Sequence, residues 1–285
     1  MAGRRTAGRS WPPELTAVGM MGSDKAWPPI LRGKNHGASS IFTPDALLRE
    51  ARRQKRIEAG PVPEICFLDP DGDIVRHLQG SGRSRLHERW ACYHTELQAF
   101  DDGGVEFGIV GHAVGSAFAV LVAEELFASG CRLLVSMTSA GQITPVRAPP
   151  YYIVIDKALR DEGTSYHYLP AADYSAADDD LVRIARGALD DVGAAVLVGA
   201  TWTTDAPFRE TAEAIEAARA ASILAVEMEA AALYAFAAAR GRPVLCLAHV
   251  TNQMGMIEGD FEKGIADGAQ ESLDVLLKIA RRCAT

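Results

Sequence analysis

Short runs of apolar residues alternate along this chain with longer segments in which apolar positions recur every three or four residues. The short runs predict buried strands, and the periodic segments predict amphipathic helices. The predicted strands are Glu64–Leu68, Gly108–Val110, Leu133–Met137, Tyr152–Ile155, Ala195–Val198 and Val244–Val250. The predicted helices are one that begins at Thr43, followed by Ala117–Ser129, Asp205–Ala221, Val226–Ala239 and Phe261–Arg281.

Residues that start or stop helices stand at the ends of these periodic segments. Thr43 is a capping residue, and Pro44 after it fits the first helical position. Asp205 is the candidate cap of a later helix. Gly130 and Gly241 follow two further helices, where glycine commonly ends the helical conformation.

The alternation of strands and helices predicts an α/β fold. We expect a single domain in which a central mixed, largely parallel β-sheet is covered by helices, in three layers of α/β/α order. Residues 43–285 contain no linker and form this domain. Residues 1–40 are rich in glycine, proline, arginine and serine and lack hydrophobic periodicity, so we expect a disordered N-terminal extension.

Composition excludes several classes of partner. The chain of 285 residues has a formal net charge of −8, which argues against a general nucleic-acid or anionic-membrane surface. No apolar run reaches the roughly 18 residues of a membrane span, and no secretion signal begins the sequence. The five cysteines have no C-x-x-C spacing and are interpreted as buried thiols. We therefore expect a cytoplasmic protein with no metal, no nucleic acid and no membrane partner.

Candidate chemistry lies in the loops at the carboxyl ends of the strands, where open α/β sheets bind ligands. Gly111–Ser116 is a glycine-containing turn, for which tight packing is an equal explanation. Ser136–Gly141 is rich in hydroxyl groups that can hold an anion or a sugar. Arg160–Tyr168 combines charges, hydroxyls and aromatic rings, as nucleobase recognition requires, although an ordinary polar loop has the same composition.

The fourth segment, Val226–Ala232, contains Glu227 and Glu229. Two positions apart on a helix, these carboxylates would point to opposite sides, so at most one is expected in a site. A carboxylate that faces inward needs donors, and the 2′- and 3′-hydroxyls of a ribose would supply them.

These segments together resemble a known family. Glu227-Met228-Glu229-Ala230-Ala231-Ala232-Leu233 resembles the Glu-Met-Glu-small-small motif of the nucleoside phosphorylase superfamily of the trimer and hexamer type, which includes purine nucleoside phosphorylases, uridine phosphorylases and nucleosidases. Gly111–Ser116 is similar to its Gly-His-Gly-Met-Gly turn, and Leu133–Gly141 to its strand end. Arg160–Tyr168 and Gly199–Thr211 most resemble the uridine-phosphorylase-like branch. The resemblance spans about residues 43–280 and marks residues 43–285 as the catalytic domain.

The resemblance implies a role for each matching residue. Glu229 would bind the ribose 2′- and 3′-hydroxyls, and Met228 would pack under the sugar. The base would stack on Tyr168, beside His167 and Tyr166. The phosphate, or the sugar at that end, is expected at Gly111, His112, Thr138, Ser139 and Gly141.

Asn252 falls where purine-specific members of the family carry a catalytic aspartate, so it is a candidate both for catalysis and for binding the base. An aspartic acid can protonate a purine ring nitrogen as the bond breaks, and an asparagine cannot. Asparagine can form hydrogen bonds, which favours a keto-bearing base such as uracil or a 6-oxopurine.

Two departures concern phosphate. Ser136 stands where phosphorylases of the family carry an arginine, and charge-assisted contacts to arginine are the strong ones. The turn after the first strand, Asp69–Asp73, carries three carboxylates that would repel phosphate. Arg83, Arg85 and Arg147 are the candidates to replace the missing arginine.

The resemblance therefore implies cleavage of the N-glycosidic bond of a nucleoside. The leading expectation is phosphorolysis to a free base and a (deoxy)ribose 1-phosphate, with phosphate as co-substrate and no cofactor. Hydrolysis by water that Glu227 or Asp205 activates is the alternative. A non-catalytic nucleoside-binding protein is a third possibility, and a dinucleotide enzyme is disfavoured because no G-x-G-x-x-G turn follows the first strand. Family members imply a homodimer or a homohexamer.

Overall fold

The computed structural model describes residues 27–189, 196–254 and 258–283. The strands are β1 Ile65–Asp69, β2 Ser84–Leu86, β3 Gln98–Asp102, β4 Val105–Gly111, β5 Leu133–Gln142, β6 Tyr151–Asp161, β7 Tyr174–Ala176, β8 Val196–Thr204, β9 Ala225–Glu227 and β10 Val244–Asn252. The helices are α1 Pro44–Lys55, α2 Asp73–Gly80, α3 Ser116–Ala128, α4 Asp179–Leu189, α5 Ala212–Ala220, α6 Ala230–Arg240 and α7 Ala269–Cys283.

All ten strands belong to one mixed sheet, which confirms the α/β fold class. Strand β10 pairs with both β5 and β6, and β9 pairs with both β5 and β8. The pairing of β6 with β8 closes these five strands into a ring. The sheet then continues from β5 through β1, β4, β3 and β2. The parallel strands β1, β4, β5 and β10 end at the same edge, so their carboxyl ends meet there.

The apolar pattern explains how this sheet is covered. Strand side chains alternate between the two faces, so Leu134 on β5 joins one apolar core and Val135 joins the other. The first core contains the buried faces of α3 and α6, and the second contains those of α2 and α7. All five residues of β1 are buried, as expected for a central strand with both faces covered.

Five of the predicted strands are longer than expected, and β5, β6 and β8 extend furthest. Strand β5 continues through Thr138–Gly141, beyond its predicted end at Met137, because these residues pair with β10. Strand β6 likewise extends to Asp161, and β8 extends from Val196 to Thr204 by pairing with β6 and β9. Ala195, where the last of these was expected to begin, lies outside the described residues. Polar residues hid these extensions because they interrupt the apolar runs.

Three predicted helices begin later than expected. The segment predicted as one helix from Asp205 forms a short 3-10 turn, Pro207–Arg209, and then α5. Thr211 caps α5 by accepting a hydrogen bond from the Ala214 amide at 3.3 Å, so the prediction of Asp205 as helix cap is wrong. Helix α6 begins after strand β9, and α7 begins at Ala269. Strands β2, β3, β7 and β9 and helices α2 and α4 were not predicted.

The start of the chain divides into two parts. Residues 1–26 of the expected N-terminal extension lie outside the described residues. Within residues 27–40, Lys34 Nζ donates a hydrogen bond to His167 Nδ1 at 2.9 Å, and His36 Nε2 donates to the Tyr166 carbonyl at 3.2 Å. These residues therefore contact the domain. Thr43 caps α1 as predicted, by accepting from the Ala46 amide at 3.2 Å.

Candidate active site

Glu229 lies at the junction between β9 and α6, with only 2% of its surface exposed. Its Oε1 accepts a hydrogen bond from the Gly115 amide at 2.6 Å, and its Oε2 accepts from the Thr138 hydroxyl at 2.8 Å. Gly115 has a φ of +89°, a conformation that glycine adopts without strain. Two acceptor positions on the carboxylate are thus occupied, and its other lone pairs accept no hydrogen bond from the described residues.

The first turn of α3 is tied to the same junction. The Ser116 hydroxyl donates to the carbonyl of Met228 at 2.7 Å. Alanine residues at the start of α6 are fully buried and let α3 approach closely. The backbone of Met228 is therefore tied to the start of α3, directly before Glu229.

Glu227, two residues earlier, belongs to β9 and has a different environment. Its Oε1 accepts from the hydroxyls of Thr201 and Thr203, and its Oε2 accepts from the amides of Glu229 and Ala230 at 2.6 and 2.7 Å. The carboxylate thus satisfies free amides at the start of α6. With four donors bound and 3% exposure, it is not placed to activate a water molecule.

Burial controls the protonation of this pair. Removal from solvent, and then the charge of Glu227, raise the pKa of Glu229 to about 8. Burial also raises the pKa of Glu227, whereas its bonds to Thr203 and to the helix amides oppose that shift. Because Glu227 has more donors, we assign the first proton of the pair to Glu229.

Charged side chains meet at the turn between β1 and α2. Asp71 Oδ2 accepts hydrogen bonds from the Ser139 hydroxyl and from Lys263 Nζ, the latter at 3.1 Å. Lys263 also donates to Asp73 at 2.6 Å. Arg76, in the first turn of α2, donates to the Asp71 carbonyl at 3.1 Å and pairs with the Asp73 carboxylate. Two cations thus accompany the acidic turn.

Two buried titratable groups complete this end of the site. Asp69 accepts from the Val75 amide at 2.9 Å, and burial, followed by the charges of the other turn carboxylates, raises its pKa to about 7. His249 stacks on Tyr152 with ring centroids 4.6 Å apart, and burial lowers its pKa to about 4. Both line a cavity of about 20 Å³ together with Thr138.

The predicted glycine and histidine of the turn after β4 lie above this acidic turn. The His112 amide donates to the Asp69 carbonyl at 3.1 Å, and the imidazole packs against Gly72. A Cβ at Gly111 would lie 3.1 Å from Val75 Cγ2, which explains the absence of a larger side chain. Gly111 and His112, which the sequence assigned to the phosphate or sugar end, therefore contact the acidic turn.

Asn252 lies at the end of β10, beside Gly141 on β5. Its Nδ2 donates to the Thr251 hydroxyl at 3.2 Å, and its Oδ1 accepts from the Met254 amide at 2.9 Å. A Cβ at Gly141 would lie 2.5 Å from Met254 Sδ, so the Met254 side chain packs directly on this glycine. The amide of Asn252 is thus held at the edge where β5 and β10 end.

The aromatic residues predicted to bind the base do not join this group. Tyr168 packs edge-on against Phe236, and its hydroxyl donates to Glu124 at 3.1 Å. Phe236 lies seven residues beyond Glu229, or about 10 Å along α6. Tyr168 therefore packs between α3 and α6, away from the carboxylate that it was predicted to accompany.

The other residues predicted near Tyr168 also form contacts within the protein. The Tyr166 hydroxyl donates to the Arg160 carbonyl at 3.0 Å, and the Arg160 guanidinium lies 4.4 Å from the centre of the Tyr166 ring. His167 accepts from Lys34. Asp205 is exposed and accepts from the Gly163 amide at 2.8 Å, so it too stands apart from Glu229.

The arginines proposed to replace the missing phosphate ligand are also elsewhere. Arg85 pairs with Asp101 and Glu106 on β3 and β4, and Arg83 contacts Gln270 at 3.4 Å. Arg147 is exposed in the loop after β5. Ser136 is buried, and its hydroxyl has no hydrogen-bond partner among the described residues.

Sequence reasoning missed Lys263, Arg76 and His249. Arg76 follows Asp73 by three residues, a spacing that places it one helical turn away, but α2 was not predicted. Lys263 is 190 residues from Asp73 and His249 belongs to an apolar strand, so no local pattern marks either. Among residues 27–189, 196–254 and 258–283, no group of side chains has a metal-binding arrangement, and no helix is long and apolar enough to cross a membrane.

Several curated proteins are similar to this chain in sequence. The chain is 25% identical to a guanosine phosphorylase of Halorubrum lacusprofundi over 80% of its own length and 96% of that protein. It is 26% identical to a uridine phosphorylase of Thermococcus kodakarensis, over 72% of this chain and 83% of the relative. A purine nucleoside phosphorylase of Tolumonas auensis is 27% identical, over 62% and 74% respectively.

The fold has solved counterparts. A uridine phosphorylase from Vibrio fischeri, crystallised with 6-hydroxy-1-naphthoic acid, superposes with a TM-score of 0.66 at 18% identity, over 79% of this chain and 93% of that one. The family model of the phosphorylase superfamily matches residues 73–284, about three quarters of the sequence. The chain therefore belongs to the phosphorylase superfamily and is an enzyme of that family.

Proposed function

We propose that this protein cleaves the N-glycosidic bond of a nucleoside with an oxo-bearing base and transfers the sugar to phosphate. Glu229 is the observation that carries the proposal. A carboxylate that is 98% removed from solvent and holds only two donors is poorly satisfied alone, because its remaining lone pairs have no partners. The 2′- and 3′-hydroxyls of a ribose supply the missing donors.

The proposed reaction follows from the binding of the ribose hydroxyls by Glu229. The bond between C1′ and the base nitrogen breaks, its electron pair leaves with the base, and the sugar becomes oxocarbenium-like. The negative charge of Glu229 stabilises this positive sugar more than it stabilises the neutral substrate. A phosphate oxygen then bonds to C1′, and the proton that the phosphate loses passes to the departing base, which gives a sugar 1-phosphate and a free base.

Asn252 supports an oxo-bearing base. A buried amide offers an N–H donor and a carbonyl acceptor at the end of β10, near Gly141. Such a pair matches the adjacent C=O and N–H of uracil or of a 6-oxopurine. It cannot protonate an adenine ring, so the proposal excludes adenosine as the preferred substrate.

Relatives and local cations favour phosphate as the nucleophile. The similar proteins from Halorubrum lacusprofundi and Thermococcus kodakarensis are named as phosphorylases, of guanosine and of uridine. In this chain Lys263 and Arg76 bring two positive charges to the turn before α2. Phosphate is then the co-substrate, no cofactor is required, and the family's assemblies make a homodimer or homohexamer our expectation. A cytoplasmic location also stays a prediction.

Hydrolysis is the second candidate, because the same turn carries three carboxylates. Asp71, Asp73 and the partly neutral Asp69 repel an anion but accept hydrogen bonds from water. In this reaction a water oxygen bonds to C1′, and a proton of that water passes by way of a carboxylate of the acidic turn to the departing base. The products are a free base and a free sugar.

A product assay tests the proposal. The purified full chain is incubated separately with uridine, inosine, deoxyuridine and adenosine, with and without phosphate, and the free base and sugar products are quantified. We expect release from uridine or inosine that requires phosphate and yields a sugar 1-phosphate. Phosphate-independent release of free sugar would establish the second candidate. A protein that binds a nucleoside and releases nothing would be a binding protein.

Glu229→Gln is the matched variant for this assay. Glutamine keeps the size and the acceptor for Thr138 but removes the charge that favours the oxocarbenium-like sugar. We expect kcat/KM to fall by about 100-fold or more, equivalent to roughly 2.7 kcal/mol. Unchanged turnover in a folded variant would refute the assignment of Glu229 to the ribose.

A further inference from the structure

Asp71 lies at the end of the candidate site where phosphate is expected, and two hydrogen-bond donors are directed at one of its carboxylate oxygens. Its Oδ2 accepts from both the Ser139 hydroxyl and the Lys263 ammonium group, which come from β5 and from the segment before α7. The Arg76 guanidinium donates to the carbonyl of the same residue at 3.1 Å. A hydroxyl and an ammonium group directed at one oxygen are the donors that an anionic ligand uses.

A second observation marks this place as a binding position. His249 is 95% buried and lines the same cavity, and its Nε2 has no hydrogen-bond partner in the described part of the chain. The imidazole is uncharged at neutral pH, because burial lowers its pKa to about 4. Gly268 allows this approach, since a Cβ there would lie 2.5 Å from His249 Cε1.

The cavity is too small for phosphate while Asp71 is in place. Its volume of about 20 Å³ accommodates about one water molecule. The carboxylate already neutralises Lys263, whose pKa is raised because the hydrogen bond to Asp73 and the charge of Asp71 outweigh the effect of burial. An incoming phosphate must therefore displace a charged group that has the same donors.

We infer that Asp71 is the residue that sets the choice of nucleophile: its carboxylate acts as a built-in competitor of phosphate for Ser139 and Lys263. The inference rests on the proposed function, in which a nucleophile reaches C1′ from this side. With Asp71 bound to its partners the position admits water. When the carboxylate is displaced or neutralised, Ser139 and Lys263 are available to a phosphate oxygen.

Direct binding of inorganic phosphate tests this inference without any nucleoside. Isothermal titration calorimetry is carried out on the full chain, on Asp71→Asn, and on Asp101→Asn as a matched control. The Asp101 carboxylate also pairs with a cation, Arg85, at 2.9 Å, but it lies on β3, away from the turn. We expect Asp71→Asn to lower the Kd for phosphate at least tenfold, and Asp101→Asn to leave it unchanged.

The substitution Ser139→Ala tests whether phosphate and Asp71 compete for the same hydroxyl. In the wild-type background the substitution should change phosphate affinity less than twofold, because the Ser139 hydroxyl already donates to Asp71. In the Asp71→Asn background the same substitution should weaken phosphate binding at least fivefold. Equal effects in the two backgrounds, or no gain from Asp71→Asn, would overturn the inference. If circular dichroism shows that Asp71→Asn is unfolded, Asp71→Ser removes the same charge and takes its place.

The products that Asp71→Asn forms distinguish a failure of this inference from a failure of the proposed function. At a fixed phosphate concentration well below the wild-type Kd, Asp71→Asn should form sugar 1-phosphate at least tenfold faster than the wild type. Tighter phosphate binding with no cleavage of any nucleoside would reject the proposed function and leave the competition between Asp71 and phosphate standing. Cleavage of a nucleoside, with an unchanged Kd for phosphate and unchanged formation of sugar 1-phosphate, would reject the competition and leave the proposed function standing.

Discussion

Glu227 and Glu229 have different roles because the backbone changes from strand to helix between them. Glu227 ends β9 and binds the free amides of α6 together with two threonine hydroxyls. Glu229 takes the capping position of α6, yet its side chain turns toward Gly115 and Thr138. On one continuous helix the two carboxylates would have pointed to opposite sides. Both are instead buried at one junction, and only Glu229 keeps free acceptor positions.

The raised pKa of Glu229 predicts a pH dependence of catalysis. Below a pKa of about 8 the carboxyl is protonated and lacks the charge that stabilises the sugar cation, so kcat/KM should rise as the pH increases from 6 to 8.5. The profile is measured with the preferred nucleoside at saturating phosphate. Asp69→Asn is the control, because Asp69 has a pKa of about 7 and its removal should leave the rise near pH 8 in place. A flat profile would contradict the role of Glu229.

Asn252 predicts the choice of base. In Asn252→Asp the buried carboxyl should remain protonated, because burial disfavours its charged form, and it can then donate a proton to a purine nitrogen. We expect kcat/KM for adenosine relative to inosine to increase about tenfold or more. Asn252→Ala, which removes the hydrogen bonds without adding an acid, should reduce both rates. An unchanged ratio in Asn252→Asp would place the base away from this residue.

At the scale of elements, the short strand β9 decides where the site lies. Its pairing with β5 and β8 places Glu227 beside Thr203 and brings the start of α6 to the end of β5. The alanine-rich sequence that follows has helical character throughout, so periodicity alone extended the helix back to Val226. Three residues of strand are too short to produce a pattern, and only the sheet partners reveal them.

The cap of α6 carries a stability prediction. Glu227→Gln should lower the free energy of unfolding by about 1–3 kcal/mol. The uncharged glutamine side chain has only one acceptor oxygen, so it cannot accept from both helix N–H groups and both threonine hydroxyls as the carboxylate does. Urea unfolding followed by circular dichroism measures the change. Glu216→Gln is the control: its carboxylate is exposed, pairs only with Arg219, and should change stability by less than about 0.5 kcal/mol. Equal effects of the two substitutions would rule out the capping role.

At the scale of the whole molecule, closure of five strands into a ring brings the functional residues together. The ring places the ends of β5, β9 and β10 side by side, which joins Thr138, Glu229 and Asn252 at one edge. Helices α2 and α3 begin at that same edge. The site is therefore a property of the closed sheet, and each element supplies one or two of its residues.

Ligand binding should consequently stabilise the whole domain. At a nucleoside concentration 100 times its Kd, the folded state gains about 2.7 kcal/mol, which differential scanning fluorimetry detects as a rise in Tm. Inosine or uridine should produce the rise in the wild type and a smaller one in Glu229→Gln. A single-stranded RNA should produce none, because the chain carries a net charge of −8. An equal rise with the free base alone would contradict anchoring through the ribose.

The sequence by itself determined the local features: the cap at Thr43, the apolar strands, and the motif that contains Glu229. Each of these depends on neighbours within a few positions, where capping and hydrophobic periodicity act. The α/β class and the family resemblance followed from such features in order along the chain. The aromatic segment around Tyr168 also had the right composition for a base site, but composition does not say which way a ring faces.

Only the tertiary structure decided which polar groups share a partner. Lys263 reaches Asp73 across 190 positions of sequence, and Ser139 reaches Asp71 across 68. Those contacts exist because the ring of strands and the helices on its two faces bring distant segments to one edge. Burial then set the protonation of Glu229 and His249, since a pKa depends on the solvent and charges that folding removes or supplies. No local pattern carries that information, because it arises when the sheet closes.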